Sequence, residues 1–100
     1  MAEHVLKTRR DYYEQIHDEE RSFDVRYDDH DFKVGDFVIF EETYRDGWPT
    51  GRRIRAVITL IIDLKAYADE FFYEYIFDPL VAFQFRIVEE DDGRFDVRWV

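Results

Sequence analysis

The stretch Phe23-Asp24-Val25-Arg26-Tyr27-Asp28-Asp29-His30-Asp31-Phe32-Lys33-Val34-Gly35-Asp36 decides how the chain is read. Phe23, Val25 and Tyr27 alternate with polar residues from Ser22 onward, the period-two pattern of a strand. Asp28–Lys33 is a charged loop. Val34-Gly35-Asp36 is a tight turn, where glycine supplies a backbone shape that other residues resist. A second strand, Phe37–Tyr44, follows at once, and its apolar run Phe37–Phe40 is expected to be buried on both faces.

Outward from this stretch the periodicity changes twice. Upstream, Glu3–Lys7 reads as a short strand. Thr8 reads as a helix N-cap with Asp11 three residues on, a capping-box-like pair. Tyr12, Tyr13 and Ile16 give the segment to about Glu20 one apolar face. Its charges oppose the helix dipole, with Arg9 and Arg10 at the start and Asp18, Glu19 and Glu20 at the end. Each mismatch costs about a few tenths of a kcal/mol, so both ends point weakly to use. Downstream, Arg45–Gly51 is a connecting loop with Asp46-Gly47 and Pro49. Arg52–Asp63 is a long strand with Ile54, Ala56, Ile58, Leu60 and Ile62 on one face. Leu64, Tyr67, Ala68, Phe71, Phe72 and Tyr75 fall at helical spacing, and Pro79 ends any helical run. Leu80–Glu89 is a strand with Val81, Phe83, Phe85 and Ile87 facing one way. Asp91-Asp92-Gly93 is a hairpin turn, and Arg94–Val100 a last strand with Phe95, Val97 and Trp99 inward. The order β-α-β-β-β-α-β-β predicts one α+β domain over 1–100, a small β-barrel or curved, mostly antiparallel sheet.

The chain has 100 residues and a net charge of −10, from 24 acidic and 14 basic residues. That balance argues against a broad phosphate-tracking groove. The 46% hydrophobic and 19% aromatic content argues for a folded chain rather than a disordered acidic one. Two short basic islands interrupt the acidity: Lys7, Arg9 and Arg10, then Arg52, Arg53 and Arg55. With no cysteine there is no disulfide, thiolate zinc site or cysteine nucleophile. No apolar run is long enough to span a membrane, and the polar start lacks the pattern of a signal peptide, so a cytoplasmic location is expected.

Several motifs together resemble the ASCH domains of the PUA-like superfamily, in particular a small phage-type group described as RNA-binding. They are His4-Val5-Leu6-Lys7, Asp11-Tyr12-Tyr13-Glu14, Arg21-Ser22-Phe23-Asp24-Val25-Arg26, Asp29–Asp36 and Gly47-Trp48-Pro49-Thr50-Gly51-Arg52. The resemblance covers roughly residues 4–62. It implies a PUA-like β-barrel with a ligand cleft beside the first helix, and phage or mobile-element origin. The ASCH pattern Gly-x-Lys-x-x-Glu-x-Arg reads Glu19-x-Arg21-x-x-Asp24-x-Arg26 here. In relatives that hydrolyse acetylated cytidine the lysine takes part in the chemistry. Arg21 holds its proton too tightly to serve as base or amine nucleophile. The resemblance therefore implies binding more than hydrolysis.

On a strand, Asp24 and Arg26 share a face and Arg21 lies opposite. They form either a polar cleft with Lys7, and Arg52 and Arg53 nearby, or a cross-strand charge pair that fixes register. Asp28-Asp29-His30-Asp31 lacks the ligand spacing of a calcium loop, and the histidines lack paired zinc spacing, so no metal or other cofactor is expected. There is no glycine-rich phosphate loop or serine nucleophile elbow. Tyr67, Phe71, Phe72 and Tyr75 belong to a core, a protein or self-association surface, or a base-stacking platform, the last disfavoured by flanking acids. The expected function is a nucleotide- or RNA-binding module. The alternative is an acidic protein that occupies a basic, nucleic-acid-binding host protein. An amidohydrolase acting on modified nucleosides ranks third.

Overall fold

The computed structural model describes residues 1–27, 30–64 and 80–91. The elements run β1 (Glu3–Arg9), α1 (Arg10–His17), β2 (Phe23–Tyr27), β3 (Phe37–Thr43), β4 (Pro49–Asp63) and β5 (Leu80–Asp91). The strands form one mixed sheet in the order β1-β3-β4-β5-β2, curled into a half-barrel. Three pairings are antiparallel, and β1 runs parallel to β3. The helix expected over Leu64–Tyr75, including Tyr67, Phe71, Phe72 and Tyr75, lies outside the described residues beyond Leu64. So do the turn after Asp91 and the strand over 94–100.

Alternation drives the curl. Leu6, Val38, Phe40, Ile54, Ala56, Ile58, Val81, Phe83 and Phe85 point inward and are buried. Tyr13 and Ile16, one helical turn apart, close α1 over them. Breaks in register at Glu41/Thr43, Arg55/Ala56 and Ile58/Leu60 bend the long strands, as bulges do by adding a residue on one side. The glycine turn is as read. Gly35 sits at φ 92, its N–H donates to the Ile58 carbonyl, and the Ile58 N–H donates to the Asp36 carbonyl.

Several local expectations differ from the structure. Thr8 is no cap: β1 continues through it to Arg9, and the Thr8 hydroxyl donates back to the Leu6 carbonyl. The helix ends at His17, because Glu19 turns left-handed at φ 61 and the Glu20 and Arg21 N–H groups close on the Gln15 carbonyl. Tyr12 faces outward from α1 and is exposed. Phe37 and Ile39 are only half-buried, and the Arg55 guanidinium lies over the Phe37 ring on that face. β4 begins at Pro49, and the register break after Ile58 turns Leu60 and Ile62 to the opposite face, where both are exposed.

Candidate functional site

The two sheet edges, β1 and β2, face each other across the open side of the half-barrel, and Arg26 spans the gap. Its Nε donates to Asp24 Oδ2 at 2.8 Å and its Nη1 to the Lys7 carbonyl at 3.3 Å, with Nη2 3.5 Å from Thr8 Oγ1. Asp24 Oδ1 accepts the Val25 N–H at 2.9 Å. The pair thus satisfies one backbone group on each strand edge, groups that otherwise invite another strand. Asp24 is buried and Arg26 half-buried.

Arg52 belongs to a second network. Glu42 follows Val38 and Phe40 on the inward face of β3, and its side chain is 1% exposed. Thr50 Oγ1 donates to Glu42 Oε1 at 2.7 Å. Arg52 Nη1 donates to Glu42 Oε2 at 3.2 Å and to Glu14 Oε1 at 2.6 Å. The hydrogen bond to Glu14 raises the Arg52 guanidinium above its ordinary value. Arg52 also lies over the Tyr13 ring, whose hydroxyl is pushed well up by burial. This network fastens α1 to the sheet.

The other sequence candidates lie elsewhere. Register places Lys7, Glu41 and Arg53 in one row on the outer face, and Arg53 Nη2 donates to Glu41 Oε2 at 3.0 Å. Arg21 stacks outside the barrel, 4.6 Å from the Tyr12 ring centroid and 5.5 Å from that of Phe23. The structure therefore brings Asp24, Arg26 and the Lys7 backbone together. It puts Arg52 in the helix clamp and leaves Arg53 and Arg21 on separate surfaces.

A cleft opens at the first basic island, of which Lys7 alone was a candidate site residue. Because β1 and β3 run parallel, with Arg9 opposite Thr43, their ends finish side by side. The start of α1 and the β3–β4 turn become the two walls of an open cleft of about 1400 Å³. Lys7, Arg9, Arg10, Asp11 and Glu14 line one wall, and Thr43, Tyr44, Arg45, Asp46 and Gly47 the other. The turn is rigidly built. The Gly47 N–H donates to the Tyr44 carbonyl, the Tyr44 N–H to the Trp48 carbonyl, and the Trp48 N–H to Asp46 Oδ1 at 3.0 Å. Arg9 pairs with Asp11 at 2.8 Å, whose carboxyl it holds below the usual range. Lys7 and Arg45 form no ion pair among the described residues. Tyr44 and Trp48 are exposed on the turn. Tyr44 and Arg45 went unmarked because only the parallel pairing brings them to the first basic island. The exposed Tyr44-Arg45-Asp46-Gly47-Trp48 turn was the available signal.

The histidines do other work. His4 is buried, with Nε2 2.8 Å from Asp36 Oδ2, and its ring packs against His30 and Phe32. Among the described residues Glu14, His17 and Asp18 could approach a metal together. Arg52 already engages Glu14, and Asp18 engages His17 Nδ1. No helix among the described residues is long and apolar enough to cross a membrane.

A family model described as "Domain of unknown function (DUF3850)" matches residues 3–75, most of the chain. No curated protein matches. Among solved structures, the one titled "Crystal structure of hypothetical protein PH0355" is similar at a TM-score of 0.54 and 15% identity. The match covers 88% of this chain and 100% of that one. At that identity the likeness concerns the fold alone.

Proposed function

The chain belongs to the DUF3850 family, and from that premise we propose that it is an ASCH-like, PUA-like module that binds a nucleotide or RNA in the cleft between α1 and the β3–β4 turn. One observation carries the reading. In a chain of net charge −10, Lys7, Arg9, Arg10 and Arg45 converge on a single cleft. The exposed rings of Tyr44 and Trp48 stand beside them. Cations meet phosphates and rings stack on bases, the combination that single-strand binders use. Arg9 and Arg10 also crowd the positive end of the α1 dipole, a misfit that a bound anion offsets. The cleft lies beside the first helix, and of the residues expected to line a ligand cleft there Lys7 does.

Fluorescence anisotropy with a short labelled RNA at about 50 mM salt tests this. Binding is expected to weaken steeply with salt. Lys7→Gln and Arg45→Gln should each weaken it for every sequence and flatten the log–log salt slope by about one. No binding at low salt would overturn the reading.

A second reading rests on a different surface. Register aligns Phe23 with Gln84 and Leu60, and Val25 with Ala82 and Ile62. Phe23, Val25, Leu60 and Ile62 are all exposed. Such a strip favours a protein contact, and with the acidic surface it suits a basic, nucleic-acid-binding partner. Failure to bind RNA, with a basic protein bound and released by Val25→Lys, would move the assignment here.

A further inference from the structure

We propose that the cleft continues around the outside of α1 as a track for single-stranded nucleic acid, running over Arg9, Tyr12 and Arg21 to Phe23. The proposal rests on the cleft reading and extends it from a single nucleotide to a strand. Continuity is geometric. Arg9 borders the cleft, and its guanidinium carbon lies 4.7 Å from the Tyr12 ring centroid. The Arg21 guanidinium carbon is 4.6 Å from that same centroid and 5.5 Å from the Phe23 ring. Charge and ring thus alternate along the surface, as phosphate and base alternate along a strand.

Each member is available. Tyr12 and Phe23 are large exposed aromatics. Arg21 forms no ion pair among the described residues. The Arg9–Asp11 pair is exposed, and such pairs contribute little, so a phosphate can replace the carboxylate. The chemistry selects a single strand over a duplex, because paired bases hide the faces that rings stack on.

The test compares three probes on the full chain by anisotropy and competition: an oligouridylate of about ten nucleotides, a hairpin duplex of similar length, and uridine monophosphate. The oligouridylate should bind more tightly than the other two. Arg21→Gln and Phe23→Ser should each lower its affinity about tenfold, toward that of the mononucleotide. Arg21→Lys, which keeps the charge and loses the planar stack, should recover part of the loss. Arg55→Gln, on β4 where it pairs with Glu3 over the Phe37 ring and away from the track, should change nothing. Thermal melts establish that each variant is folded. If Arg21→Gln and Phe23→Ser leave oligouridylate binding intact, or the duplex binds as tightly as the single strand, the track is overturned while the cleft reading stands. If neither oligouridylate nor mononucleotide binds the parent chain, the cleft reading fails and the track falls with it.

Discussion

Glu19 ends α1 in a left-handed conformation at φ 61, at the position where the ASCH pattern has glycine. A side chain there crowds the backbone, whereas glycine adopts the shape freely. Glu19→Gly should therefore stabilise the protein by about 1 kcal/mol, read as a shift in the urea midpoint. A loss of stability would mean that the Glu19 side chain contributes more than its backbone costs. Asp36 gives a residue-level prediction in pH. Its carboxylate is held below the ordinary range, first by His4 and then by the Ala2 and Lys33 N–H groups. A depressed carboxylate stabilises the fold at neutral pH, and that share is lost as pH falls through the carboxylate range. Asp36→Asn should lower stability at neutral pH and flatten the decline between about pH 5 and pH 3. Urea midpoints measured across that range check both slopes.

Among the elements, the two edge strands matter most, because Arg26 alone among the described side chains ties β2 to the backbone of β1. Arg26→Gln leaves the buried Asp24 carboxylate without its cation and should cost about 2 kcal/mol. Adding Asp24→Asn should recover part of that, so the double-mutant cycle measures the coupling. Full additivity would show that the two side chains act separately. The individual strands were legible because one face of each is buried: Val81, Phe83 and Phe85 in β5 and Leu6 in β1 alternate with less buried neighbours. What hid was what alternation does not encode. A single register break after Ile58 reverses Leu60 and Ile62, and nothing in their identity marks it. Thr8 has the residue type of a cap, yet its strand pairing with Glu42 prevailed over that preference.

Over the whole molecule, the net charge is a poor guide until the fold distributes it. Most cations are engaged with acids: Arg52 with Glu14 and Glu42, Arg53 with Glu41, Arg55 with Glu3, and Arg26 with Asp24. Those pairs occupy the second basic island, while in the first Arg9 pairs with Asp11 and Arg10 lies 4.0 Å from Glu42. The first island was visible in the sequence as Lys7, Arg9 and Arg10. Its partner, Arg45, stands far along the chain and arrives through the parallel pairing of β1 with β3, a long-range choice that local patterns do not fix. The proposed ligand site is this cleft. Amide chemical-shift mapping during titration with a short oligouridylate tests it most directly. Saturable shifts concentrated at Lys7, Arg9, Arg10, Tyr44 and Arg45 are expected. Shifts confined to the strip of Val25, Leu60 and Ile62, or none at saturating RNA, would contradict it.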